Sequence, residues 1–145
     1  MIWDRRFIGL AEHVSTWSKD PSTKCGAVIV RPDKTIASLG FNGFPTKIVD
    51  VEEYLDAREV KYERVIHAEM NAILFMREPL LGFTMYVWPM LSCHRCAVHI
   101  IQAGITSVIA PHSPNPRWED SMEITRGLLR EANVNFREIS ANDTD

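Results

Sequence analysis

The tightest constraint on this chain is a pair of spacings. Cys93 and Cys96 stand three residues apart at the start of one helical run, and His67 and Glu69 stand two apart at the start of another. Residues three apart on a helix share a face, with Cβ atoms about 5–6 Å apart, so one tetrahedral ion can take both thiolates of CHRC. Free backbone N–H groups and the helix dipole at a helix start favour thiolate over thiol. A neutral imidazole from His67 makes a third ligand, and three protein ligands leave a fourth position for water, the arrangement of catalytic rather than structural zinc. A fold that uses all four residues has to bring two helix starts to one point.

Zinc in such a site brings the pKa of its bound water to about 7. Glu69, two residues past the histidine, is free to face the water and a substrate nitrogen instead of the metal, which is the position of a proton shuttle. Attack on an amidine-like carbon, with Glu69 passing protons to the ring nitrogen and then to the leaving amine, is hydrolytic deamination. H-x-E with P-C-x-x-C is the established signature of zinc nucleobase deaminases, so the reaction is matched to a known pattern and not deduced. Taken without His67 and Glu69, the thiols leave other readings open. A redox CxxC normally follows the first long strand. A c-type haem site needs His directly after the second cysteine, where Ala97 stands, and a zinc finger needs a fourth ligand, which His99 could supply.

Around these motifs, helices alternate with short apolar runs. Phe7, Leu10, Ala11, Val14 and Trp17 recur at helical spacing and predict a helix over 4–17. CGAVIV (25–30) and TIASLG (35–40), separated by RPDK, predict a hairpin, and GFNGFP (40–45) a loop. Residues 46–64 are charged and weakly periodic, with a short surface helix in VEEYLDAREVKYERV. Helices are predicted over 67–77, 93–104 and 120–132, strands over 83–88, 105–110 and 134–139, a loop over PHSPNP (111–116) and a frayed tail in SANDTD. Late strands alternating with helices argue for parallel pairing, with helices on both faces of one sheet. Loops as long as 41–66 and 111–117 are usually functional.

A chain of 145 residues suffices for one domain with a real core, expected over 1–145. Its 16 Lys+Arg against 19 Asp+Glu give a charge of −3 without a basic block, so no polynucleotide partner is expected. Charges interrupt the apolar positions of MIWDRRFIGLAEHVSTW, unlike a signal peptide, and no run reaches the ~18 apolar residues of a membrane helix. A cytoplasmic location with no membrane partner is therefore expected. Cys25, far from the other two cysteines, reads as a small packing residue, and three cysteines do not make a disulfide framework. Asn42 in its Gly-rich loop is compatible with a left-handed turn conformation. Lys19, Lys24 and Arg117 are candidate phosphate partners in loops, and Trp118 is a candidate pocket wall.

HAEMNAI (67–73) followed by LSCHRCA (91–97) resembles the cytidine deaminase superfamily. SKDPSTKCGAVIV (18–30), GFNGFP (40–45), KYERVIHAEMNAI (61–73) and LLREANVNFREI (128–139) resemble, in order and spacing, the deoxycytidylate (dCMP) deaminase family, over roughly residues 5–139. The resemblance implies a three-layer α/β/α fold with a five-stranded mixed sheet. It implies zinc on His67, Cys93 and Cys96, Glu69 as proton shuttle, and conversion of dCMP to dUMP with release of ammonia, feeding dTMP synthesis. Asn42, Ala68, Ser92 and Arg117 are expected around the substrate. The resemblance further implies a homo-oligomer, commonly a hexamer, activated by dCTP and inhibited by dTTP, with Mg2+ accompanying the triphosphate. The effector is expected at loop 41–62, with Lys19, Lys24, Gly43 and Pro45 as candidates. A deaminase of free cytidine or deoxycytidine, and a non-catalytic zinc-stabilised nucleotide sensor, are the competing functions; a sensor has no chemical use for Glu69. The chain departs from the family at one place: Ser92 stands where the family has proline directly before the first cysteine, and Pro89 lies earlier. No Cys or His occurs from 26 to 66, so a second structural zinc is not expected.

Overall fold

A computed structural model describes residues 2–140, so the tail expected at 140–145 lies, apart from Ser140, outside the described residues. The order of elements is α1 (Ile2–Ser15), β1 (Gly26–Val30), β2 (Ile36–Phe41), α2 (Glu52–Asp56), α3 (Arg58–Arg64), α4 (Ala68–Leu74), β3 (Thr84–Trp88), α5 (His94–Ala103), β4 (Ser107–Pro111), α6 (Glu119–Glu131) and β5 (Asn135–Ile139). The strands form one sheet in the order β2-β1-β3-β4-β5. β1 runs antiparallel to both β2 and β3, while β3, β4 and β5 are mutually parallel, as the late alternation predicts.

Strand alternation sorts the apolar side chains onto two faces. On one, Phe7 and Ala11 of α1 pack against Val28, Val30, Tyr86 and Ile109. On the other, the helices around the candidate site pack against Ala27, Ile29, Met85, Val87 and Val108. The result is the expected three-layer α/β/α arrangement with a five-stranded mixed sheet. All five residues of β1, GAVIV, are buried, which fits a strand covered on both faces.

The structure differs from the sequence reading in several places, among them three element boundaries and the conformation of Asn42. The charged segment carries two short helices, α2 and α3, broken at Ala57, whose φ of −86° and ψ of 102° are extended. The helix expected over 67–77 stops at Leu74, and Leu74 and Phe75 stay exposed. Pro111, expected in a loop, closes β4; β3 pairs only as far as Ile109, so a residue lacking an N–H borders β5 alone. Asn42 is not left-handed: among the described non-glycine residues only Lys34 and Asn133 have positive φ.

Glycine fixes how closely one helix seats on the sheet. A Cβ at Gly40 would lie 2.4 Å from the carbonyl oxygen of Ala68 and 2.5 Å from the amide nitrogen of Ala72. Only a residue without a side chain lets the first turns of α4 lie directly on β2.

Candidate active site and metal centre

Both helices that carry the motifs begin on a candidate metal ligand. His67 is the N-cap of α4 (φ −67°, ψ 154°) and Cys93 the N-cap of α5 (φ −67°, ψ 160°), and neither side chain makes a capping hydrogen bond. N-cap side chains ordinarily satisfy the first free N–H groups; here they are left for another partner. α4 and α5 pack side by side, and Cys96, one turn into α5, is buried.

The ligand atoms of His67, Cys93 and Cys96 lie within 4.8 Å of one another, and no other such group occurs among the described residues. His67 Nδ1 is 3.5 Å from Cys93 Sγ and 3.3 Å from Cys96 Sγ. Zinc bonds of ordinary length at a tetrahedral angle place nitrogen and sulfur about 3.5 Å apart. Two thiolates and one imidazole at that separation fit zinc. The Cys96 thiol hydrogen-bonds Cys93, pulling Cys93 down to about 4, well below the usual thiol range, and pushing Cys96 up. A hydrogen bond to Cys93 holds His67 above its ordinary range.

Glu69 sits in the first turn of α4, 5% exposed, and lines the same cavity as His67 and Cys93. Burial pushes its carboxyl above the ordinary range, while the Ser92 hydroxyl and the His67 charge pull in the other direction. A carboxyl so raised takes up a proton more readily than an exposed one, which suits a proton carrier. Burial also pushes the neighbouring Cys25 thiol up to about 12, helped by the charges of Glu69, Asp20 and Cys93, so it stays neutral.

α6 holds the cysteine loop in place. Ser121 Oγ accepts from the His94 backbone N–H at 3.0 Å and contacts His94 Nδ1 at 2.8 Å. Thr125 Oγ1 donates to the Ser92 carbonyl at 2.8 Å, and Met122 between them lines the cavity. The opposite wall is the 18–25 turn. Asp20 Oδ1 accepts from the Ser22 and Thr23 N–H groups at 2.8 and 3.2 Å and pairs with buried Lys61 at 3.1 Å. At the rim, Arg117 donates to the Tyr62 hydroxyl and lies 5.2 Å above the Trp118 ring.

Asn42, Ala68, Ser92, Arg117 and Trp118 all line this cavity. Asn42 is buried, and its amide is engaged: Oδ1 accepts from Cys25 N–H at 2.8 Å, and Nδ2 donates to the Thr23 carbonyl at 2.9 Å and to Asp20 Oδ2 at 3.4 Å. Lys19, Gly43 and Pro45 line a second cavity next to it, with Asp50 3.3 Å from Lys19. Lys24 lines neither cavity and donates instead to the Ser18 carbonyl at 2.6 Å. Sequence reasoning missed Asp20, Lys61, Tyr62, Ser121 and Thr125. Asp before Pro-Ser is a turn signal that points to Asp20; the others carry no spacing signature.

Residues 1–111 match the family model described as the cytidine and deoxycytidylate deaminase zinc-binding region. A protein of Aliivibrio fischeri named an uncharacterized deaminase in the luxG 3′ region is 41% identical over 135 residues, 91% of this chain and 90% of that protein. The deoxycytidylate deaminase of Mus musculus is 37% identical over 149 residues, 95% of this chain and 80% of that protein. A crystal structure of the dCMP deaminase from cyanophage S-TIM5 in complex with dCMP and dUMP shares the fold, with a TM-score of 0.74 at 23% identity over 93% of this chain and 95% of that one. No helix among the described residues is long and apolar enough to cross a membrane. The chain belongs to the cytidine and deoxycytidylate deaminase zinc-binding family and is a deaminase.

Proposed function

We propose that this deaminase converts dCMP to dUMP with release of ammonia, supplying the precursor of dTMP. The observation that carries the reading is the convergence of His67, Cys93 and Cys96 on one point beside the buried carboxyl of Glu69. Relatives named deoxycytidylate deaminase at 37% identity, in mouse and human, support the choice of substrate.

His67, Cys93 and Cys96 would hold zinc, which supplies a Lewis acid that makes water a nucleophile near neutrality. The reaction adds water at C4 of the cytosine ring and expels the amino group. Two protons must move: one to N3 as the C–O bond forms, and one to the amine as the C–N bond breaks. Glu69 carries both through its carboxyl oxygen, and enclosure of that carboxyl keeps bulk water from competing for them. Asn42 Oδ1 keeps one lone pair for a substrate hydroxyl. Arg117, beside Tyr62 at the rim, is the cation for the 5′-phosphate, with Lys61 and Ser22 behind it.

The second cavity, with Lys19, Gly43 and Pro45, is the place for dCTP as activator and dTTP as inhibitor, each with Mg2+ on its triphosphate. Lys24, turned to Ser18, is the weakest member of that set. A cytoplasmic homo-oligomer, commonly a hexamer in the resembling family, completes the reading.

Ammonia release should be measured with dCMP, dCTP, deoxycytidine and cytidine, each with and without dCTP or dTTP as effector. Turnover of dCMP above the others is expected, raised by dCTP and lowered by dTTP. Turnover of the nucleosides alone would overturn the substrate, and turnover indifferent to both triphosphates would overturn the regulation.

A further inference from the structure

Ser92 combines two facts. It replaces the proline of the resembling family, and it is 2% exposed with a hydroxyl oxygen that has no hydrogen-bond partner of ordinary geometry. A buried hydroxyl left unpaired costs stability, and such groups in folded proteins call for an explanation. Proline or alanine at this position would carry no such cost.

The residue has little freedom to find another partner. Its carbonyl accepts from buried Thr125 of α6 at 2.8 Å, and the next residue, Cys93, caps α5. Its enclosure is shared with Glu69, which is buried and lines the same cavity. A serine χ1 has three staggered positions and a glutamate χ3 is soft, so both side chains can turn within the cavity they share. Catalytic hydrogen bonds are often long before substrate binds and tighten in the complex.

We propose that Ser92 is a positioning residue: its hydroxyl donates to the Glu69 carboxylate and holds it in the orientation for proton transfer. Proline has no hydroxyl and cannot do this. The inference rests on the deaminase reading and names the group that aims its shuttle. A residue that acts through Glu69, without contact to the reacting atoms, is expected to affect kcat and not KM.

The test compares the wild-type protein with Ser92→Ala and Ser92→Thr, measuring kcat and KM for dCMP, or for whichever cytosine substrate turns over, together with zinc content and melting temperature. Ser92→Ala is expected to lose about tenfold in kcat, the size of one charge-assisted hydrogen bond, with KM and zinc unchanged. Ser92→Thr, which keeps the hydroxyl, is expected to recover most of that loss. An alanine variant as fast as wild type overturns the proposal and leaves Ser92 as a small residue in a tight place. A rise in KM at constant kcat overturns it in favour of direct contact with the base. Loss of zinc from Ser92→Ala, or a folded, zinc-loaded Ser92→Thr as slow as alanine, also overturns it. A wild-type protein inactive on every cytosine nucleotide and nucleoside would overturn the deaminase reading and this inference with it, an outcome separate from the rest.

Discussion

At the residue scale, the division of labour follows from where each side chain ends. His67 and Cys93 begin their helices without capping them, so their donor atoms turn toward each other, and Glu69, in the first turn of α4, is buried beside them. Glu69→Gln keeps the volume and the ligands and removes the carboxyl proposed to carry protons. It is expected to retain zinc and nucleotide binding and to lose roughly 10²- to 10⁴-fold in kcat. Cys93→Ser is expected instead to lose zinc and melting temperature together, because a serine hydroxyl is a poor ligand. Metal analysis and a thermal melt on the two variants separate the roles, and an active Glu69→Gln protein would sink the mechanism. These four residues were legible in the sequence because their types are chemically rare and their spacing fits helix starts. Lys61, Ser121 and Thr125 were not. Their partners lie 41, 27 and 33 residues away, at Asp20, His94 and Ser92, and common polar side chains announce no partner at that distance.

At the element scale, short apolar runs and turn signals located all five strands to within about two residues, since a short apolar run bounded by turn residues has few alternatives. Helix ends were harder. α4 stops at Leu74 with Leu74 and Phe75 in the open, a tertiary fact invisible to periodicity, and the Ala57 break divides a segment whose charge pattern shows no seam. The seat of α4 was equally hidden: TIASLG (35–40) predicts a strand through Gly40, and Gly40 does lie in β2, but nothing in that run signals that it meets α4 backbone. Gly40→Ala would place a methyl 2.4 Å from the Ala68 carbonyl oxygen, and backbone on both sides leaves nothing flexible to yield. Relief requires α4 to lift, carrying His67 and Glu69 away from the cysteines. The expected result is a loss of about 1–3 kcal/mol in stability together with weaker zinc retention against a chelator. An alanine variant with unchanged zinc retention would mean that α4 is seated by its neighbours and not by that glycine.

At the scale of the whole molecule, the helix layer without the candidate site is tied to the sheet by charge as well as by apolar contact. Asp4 of α1 accepts from the Tyr86 hydroxyl of β3 at 2.7 Å and pairs with Arg137 of β5, so one carboxylate joins the first helix, a central strand and the last strand. Burial would raise its pKa, but the hydrogen bonds from Tyr86 and Arg137 outweigh that and hold it below the ordinary value near 3.8. A carboxylate with a lowered folded-state pKa contributes stability that is fully present above its unfolded value and is lost as pH falls through the lowered one. Asp4→Asn keeps an oxygen for Tyr86 and removes the charge facing Arg137, so it isolates this contribution. At neutral pH the variant is expected to be less stable by about 1 kcal/mol, a modest figure because Arg137 is half exposed. Followed by thermal melts, the gap between wild type and Asp4→Asn should hold steady from pH 7 to about 5 and narrow below about 4, as Asp4 takes up its proton and the two proteins become alike. A gap that keeps its neutral value below about pH 3 would show that the Asp4 carboxylate is not what joins α1 to the far edge of the sheet.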